Sequence, residues 1–265
     1  MKAKNAIVFL TNHPNKNTLN FASKIGEEKY FTIYVIVDDV KEVEESEYYK
    51  IIKVDNENCI NNGYQNSLIN SHIGKNVTSW DKFCFYFCEV NIEHDFVWVF
   101  EDDVFIPSIK TIVDLDKKYT DFDLVTPNIF QKTDTIMDWH WRNIIDKIDP
   151  PYYFSMVCAM GISKNVFKAI KDFVRKKKTL FFIEVMFSTL AKQDKLKVID
   201  AFEFKSIVWL GEWGLDEFLL LPLNVFHPIK NIDDHQNLRE SINDLKASNY
   251  IPNNKLPIFI KNLMK

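Results

Sequence analysis

Residues 6–10, 32–37 and 95–100 share a property that leaves few folds open: nearly every position is apolar or β-branched, without alternation of polar and apolar side chains. A strand with one wet face alternates, whereas a strand covered on both faces does not. Between these runs the apolar spacing changes to that of helices. Residues 19–29 read as a helix, 49–54 as a strand, and 79–90 as a helix in which Ser79 is placed to cap while Trp80, Phe83, Cys84, Phe87 and Cys88 line one face. After the strand at 95–100, Pro107 and Ser108 open a helix to Tyr119, and 123–126 reads as a short strand. This order predicts an α/β domain, Rossmann-like, with a mostly parallel central sheet flanked by helices.

Ligands of such sheets bind beyond the carboxyl ends of the strands. Asn12 after the first strand, Asp38 and Asp39 after the second, and Glu101, Asp102 and Asp103 after the third are thereby expected on one rim. The second half is less regular. Residues 152–162 read as a strand region, 163–176 as a helix capped by Ser163, 182–192 as a helix, 197–201 as a strand, and 209–214 as a Trp/Gly-rich loop. No Pro- or Ser-rich linker and no repeat interrupts the chain, so residues 1–265 are expected to form one domain. The regular alternation occupies about its first 130 residues, and the less regular part about 131–265.

Composition narrows the function. With 46% apolar residues the chain can bury a sizeable core, and a net charge of −4 offers no basic field for nucleic acid. The basic run Arg175–Lys178 suits a helix end. No apolar stretch is long enough to span a membrane, and the N-terminus enters a strand without a cleavage site, so a cytoplasmic location is expected. The sequon at Asn76 then has little force. Cys59, Cys84, Cys88 and Cys158 lack zinc-type spacing and read as reduced core thiols. With six glycines and neither GxGxxG nor GxxxxGK[ST], a dinucleotide site or P-loop is unsupported.

The segment "FVWVFEDDVFIP" holds the sharpest signal: three carboxylates at the tip of the most apolar strand. Such groups cost desolvation energy unless they meet water, donors or a cation. Oxygen ligands suit Mg²⁺ or Mn²⁺, which in turn suit a diphosphate. The bland alternative is a turn that caps the following helix.

"WVFEDDVFIP" resembles the DxD-type motif, in its E-D-D form, of GT-A-fold glycosyltransferases such as the N-acetylglucosaminyltransferase I-like and lipooligosaccharide-type enzymes. The resemblance implies a GT-A-type fold over 1–265, with about 1–130 as the nucleotide-sugar-binding half and about 131–265 as the acceptor-binding half and C-terminal segment, a UDP-sugar or related nucleotide-sugar donor, and a carbohydrate or glycoconjugate acceptor. It implies Asp103 as principal metal ligand, Glu101 in support, and Asp102 facing the ribose or the metal through water. Asp38 matches the nucleoside position, and Lys82 is a candidate for reaching a phosphate, with a solvent-facing lysine as the alternative. "LFFIEVMFSTLAKQDKLKVID" is similar to a GT-A pattern in which an acid at a helix start binds the acceptor. Glu184, 82 positions after Asp102, is then the general base of an inverting transfer. "WLGEWGLDEF" loosely resembles the G-W-G-x-E-D loop of galactosyltransferases, with different spacing, and makes Glu212 and Asp216 alternative bases. Trp209 and Trp213 there read as packing residues or sugar platforms. His227 in "NVFHPIK" matches a C-terminal histidine that completes the metal shell, and His235 and Arg239 are candidates for a segment closing over the diphosphate. Two rivals stand beside this reading: a sugar-nucleotide pyrophosphorylase, whose Gly-rich signature is missing from "TNHPNKN", and a non-catalytic glycan- or nucleotide-binding module.

Overall fold

The structure, a computed structural model, describes residues 4–38, 46–68, 77–132, 141 and 144–252. Asp39 and the sequon residue Asn76 lie outside the described residues. The strands are β1 (Asn5–Thr11), β2 (Thr32–Val37), β3 (Lys50–Ile52), β4 (Phe96–Glu101), β5 (Leu124–Thr126), β6 (Phe130–Gln131), β7 (Tyr153–Phe154), β8 (Ala159–Ser163) and β9 (Val198–Asp200). Among the described residues seven of them form one sheet in the order β3-β2-β1-β4-β8-β5-β9, and β6 and β7 form a small antiparallel pair. Every ladder in the large sheet is parallel except those of β8, which runs against β4 and β5. The mostly parallel sheet is as expected. The direction of β8 is not legible in its sequence, because AMGIS is buried at all five positions and so looks like its parallel neighbours.

Period-2 side-chain geometry divides the core into two layers. Ala6, Val8, Leu10, Tyr34, Ile36, Val97 and Val99 face one side, in one layer with Cys59 of α2 (Asn56–Asn61) and under α3 (Ser79–Phe85), α5 (Lys164–Lys177) and α6 (Ile183–Gln193). Ile7, Phe9, Ile33, Val35, Trp98 and Phe100 face the other, under α1 (Lys16–Glu27) and α4 (Ile109–Tyr119). Each large apolar side chain so covered contributes about 1.5–3 kcal/mol. The unbroken apolar runs thus report a sheet with no wet face.

Helix starts follow side-chain chemistry. Asn15, Ser108 and Ser163 cap α1, α4 and α5 by accepting from Asn17 N, Thr111 N and Asn165 N. At α3 the capping position is Thr78, one residue before the expected Ser79. The buried Asp81 carboxylate accepts from Thr78 N at 2.8 Å, Thr78 Oγ1 at 2.9 Å and Ser67 N at 3.0 Å. The expected 79–90 helix also changes character, widening to a π-turn over Tyr86–Val90.

The C-terminal part wraps back onto the acidic triplet. Phe105 and Phe226 exchange backbone hydrogen bonds at 2.8 and 3.0 Å, and Ile229 N donates to Asp103 O at 2.9 Å. On the opposite side His227 N donates to Ser206 O and Val208 N donates to His227 O. Residues 226–229 are therefore wedged between the chain leaving the triplet and residues 206–208. A third apolar cluster, with Phe105, Phe218, Leu221, Phe226 and Ile242, seals α7 (Leu215–Leu220) and α8 (Asp234–Ala247) over this wedge. Among the described residues no helix is long and apolar enough to cross a membrane.

Candidate active site at the carboxyl ends of the strands

The ends of β1, β2 and β4 enclose a pocket of about 240 Å³ lined by Thr11, Asn12, Asp38, Trp80, Glu101, Asp102 and Asp103, among others. Five residues singled out in the sequence thus share one cavity. The parallel register explains it: Leu10 lies beside Glu101 and Thr11 beside Val37, so the three strands end at the same level.

Each acid of the triplet is held differently. Glu101 Oε1 accepts from the indole Nε1 of Trp80 at 2.7 Å, while burial and the neighbouring Asp103 raise its pKa. Asp102 Oδ2 accepts from Thr11 Oγ1 at 2.6 Å; burial again raises its pKa, against that hydrogen bond. For Asp103 burial also works upward, but His227 and Lys230 more than offset it and hold the carboxyl down at about 2. Lys230 Nζ and His227 Nε2 both approach Asp103 Oδ2, the imidazole at 3.4 Å. Asp103 Oδ1 is buried without a hydrogen-bond partner.

His227 is buried, with Nδ1 2.8 Å from Val208 O. A carbonyl only accepts, so Nδ1 carries a proton and Nε2 is the nitrogen turned to Asp103. Burial opposes charging of the ring, yet Asp103 leaves its pKa raised on balance. At 3.4 Å the pair is longer than the 2.7–2.9 Å usual for a charge-assisted hydrogen bond. An imidazole nitrogen and a carboxylate oxygen facing each other, beside an orphaned buried carboxylate oxygen, form a donor set that fits a divalent cation.

Lys82 is placed otherwise than either sequence reading expects. It is buried, and its ammonium donates to Asp38 O at 2.6 Å, with Val37 O at 3.5 Å. The side chain closes the end of β2 and fixes the backbone of Asp38, which also donates its N–H to Thr11 O.

Glu184 sits half-buried in the first turn of α6, and its carbonyl accepts from Ser155 N at 2.8 Å. Ser155 also meets Ser188, and Tyr153 meets Thr189, so the start of α6 is pinned to the chain that leads into Cys158. Burial first, then Glu101 and Asp103, and least Glu184, raise the pKa of that thiol, and Cys158 O accepts from Glu101 N. Glu212 is exposed on the loop before α7, and Asp216 accepts from Tyr250 Oη at 3.1 Å. None of Glu184, Glu212 and Asp216 lines the pocket.

The remaining candidates divide by environment. Trp213 packs on Phe226 and donates from Nε1 to His227 O, a packing role, whereas Trp209 is 71% exposed. His235 is buried against Phe105, and burial drives its pKa down to about 4. Arg239 lies over the Phe21 ring at 3.7 Å and donates from Nε to Ile106 O. These two therefore bolt α8 onto the body behind the acidic triplet, and neither lines the pocket.

Thr11, Trp80, Cys158 and Lys230 are the residues that sequence reasoning missed as site components. Thr11 is the first polar position after an apolar strand and Lys230 follows His227 by three, signals that only the rim geometry makes meaningful. Trp80 and Cys158 carry no such signal, since each also reads as core.

No family model and no curated protein matches the sequence. Among solved structures, the apo form of mouse xyloside xylosyltransferase 1 matches over 86% of this chain and 99% of its own, with a TM-score of 0.44 and 8% identity. A Desulfovibrio desulfuricans G20 protein, described as a candidate nucleotide-diphospho-sugar transferase, matches over 92% of this chain and 96% of its own, with a TM-score of 0.36 and 9% identity.

Proposed function

We propose that the protein is a metal-dependent glycosyltransferase of GT-A type that moves a sugar from a nucleotide-sugar, in our reading a UDP-sugar, to a hydroxyl of a carbohydrate or glycoconjugate. The observation that carries this is the convergence of Asn12, Asp38 and the three carboxylates on one pocket, with His227 brought to Asp103 from a distant segment. Asp103, His227 and Glu101 are the residues that would hold Mn²⁺ or Mg²⁺. When bound, such an ion neutralises the charge gathering on a leaving diphosphate.

The chain's own groups do the rest. Thr11 orients Asp102 by its hydrogen bond, and the Asp102 carboxylate serves the donor ribose or the metal through water. Asn12 and Asp38 serve the nucleoside, and Lys82 acts by fixing Asp38 rather than by touching phosphate. Glu184 takes the proton of the acceptor hydroxyl as its oxygen bonds to the anomeric carbon and the bond from that carbon to the diphosphate oxygen breaks. Attack opposite the leaving group inverts the centre. Glu212 and Asp216 are the alternative bases; none of the three lines the pocket, and Glu184 is preferred for the side of the site it holds, on the helix pinned to the chain that leads into Cys158.

A thermal-shift screen of nucleotide-sugars with and without Mn²⁺ tests the reading. A ligand at about 100 times its Kd stabilises the fold by about 2.7 kcal/mol, a shift of several degrees for a chain of this size. The account expects a UDP-sugar to raise Tm only when Mn²⁺ is present. Equal shifts with and without metal, or none with any nucleotide, contradict it.

A further inference from the structure

Cys158 reads as an ordinary core thiol in the sequence, and the structure gives it different company. Its sulfur, a carboxylate oxygen of Glu101 and a ring nitrogen of His227 all lie within 4.8 Å of one another. The three come from separate places: the tip of β4, the turn before β8 and the C-terminal wedge. Each is fixed by a second partner. Trp80 holds Glu101, Val208 O holds His227 Nδ1, and Cys158 O is bound by Glu101 N at 2.8 Å. Burial, with the Glu101 carboxylate beside it, raises the pKa of the Cys158 thiol. Cys88, by contrast, donates to Phe167 O within an apolar layer.

An independent feature points to a cation at the same place. Asp103 Oδ1 is buried without a partner on the carboxylate that meets His227.

We propose that Cys158 is a thiolate ligand of the cation centre, and that the carboxylate–imidazole–thiolate set selects a first-row transition ion over Mg²⁺ or Ca²⁺. The inference rests on the metal-dependent reading above. Thiolate and imidazole favour transition ions, whereas Mg²⁺ and Ca²⁺ favour all-oxygen shells. On binding, the thiol proton leaves to solvent and the sulfur binds as thiolate.

Co²⁺ titration of the full chain provides the test, because a bound thiolate gives a near-ultraviolet charge-transfer band besides the visible d–d bands. The wild type is expected to show both, to keep them in excess Mg²⁺, and to lose the charge-transfer band in Cys158→Ser, with Co²⁺ affinity falling by about tenfold or more. Cys59→Ser is expected to leave both bands in place. Visible bands in the wild type without charge transfer overturn the proposal, as does a band that survives Cys158→Ser. The wild-type spectrum decides the matter even if that variant folds poorly. Mn²⁺-dependent UDP binding without a thiolate band removes only the Cys158 ligand; loss of both removes the metal reading with it.

Discussion

Glu184 stands in the first turn of α6, where a carboxylate gains from the helix dipole whether or not it meets a substrate. The two roles differ in what the isosteric change removes. Glu184→Gln keeps size and most hydrogen bonding but abolishes proton acceptance. As the base of the reaction, its loss lowers transfer by roughly 10² to 10⁴-fold while nucleotide and metal binding stay near wild type. As a dipole partner only, its loss costs about 0.3–1 kcal/mol of stability and little rate. Steady-state transfer and a melting curve on the same preparation separate these outcomes. Near-normal transfer, with collapse in Glu212→Gln or Asp216→Asn, moves the base to the loop before α7. At this scale the sequence singles out the strand-end acids that the fold gathers at one pocket, because a charge at the end of an apolar strand has few excuses, whereas Glu184, Glu212 and Asp216 lie outside that lining. It fails for Thr11, Trp80 and Cys158, whose side chains look equally at home in a core and become site residues only through distant partners.

Among the elements, β8 departs most from what local sequence reveals. It enters the sheet against β4 and β5 and sets Gly161 opposite Trp98. A Cβ added at Gly161 would lie 2.6 Å from the Phe96 ring and 2.8 Å from the Trp98 ring, which fold over the strand there. Those rings are walled in by the layer under α1 and α4, so they cannot retreat freely. Gly161→Ala is accordingly expected to destabilise the protein by about 1–3 kcal/mol, read as a lower denaturation midpoint with an unchanged slope. An unaltered midpoint would mean that the strand does not pack in this register. Strands β1, β2 and β4 were legible because unbroken apolar runs admit little besides a doubly covered sheet. The helix at 79–90 was legible in extent but not in kind: across its π-turn Tyr86 packs on Tyr34, and Phe87 and Cys88 meet Phe167, distant partners that spacing does not reveal. Helix α8 was missed because it buries only His235 and Ile242 and so carries a weak apolar stripe.

For the molecule as a whole, the sheet supplies the rim and the C-terminal chain completes it. Three strand ends present the carboxylates at one level, and the wedge at 226–229 sets His227 and Lys230 against Asp103 from more than a hundred residues away. Sequence alone could name His227, but its meeting with Asp103 depends on backbone bonds from Phe105 and Asp103 to the wedge, which no local pattern encodes. Cation binding at Asp103 is the claim on which the nucleotide-sugar reading turns. Isothermal titration of UDP into wild type and Asp103→Asn, each with and without Mn²⁺, tests it most directly. The account predicts that wild-type binding requires Mn²⁺ and weakens at least about tenfold in Asp103→Asn, which melts near the wild-type temperature. Equal UDP affinity in the two proteins, or wild-type affinity indifferent to Mn²⁺, would contradict it.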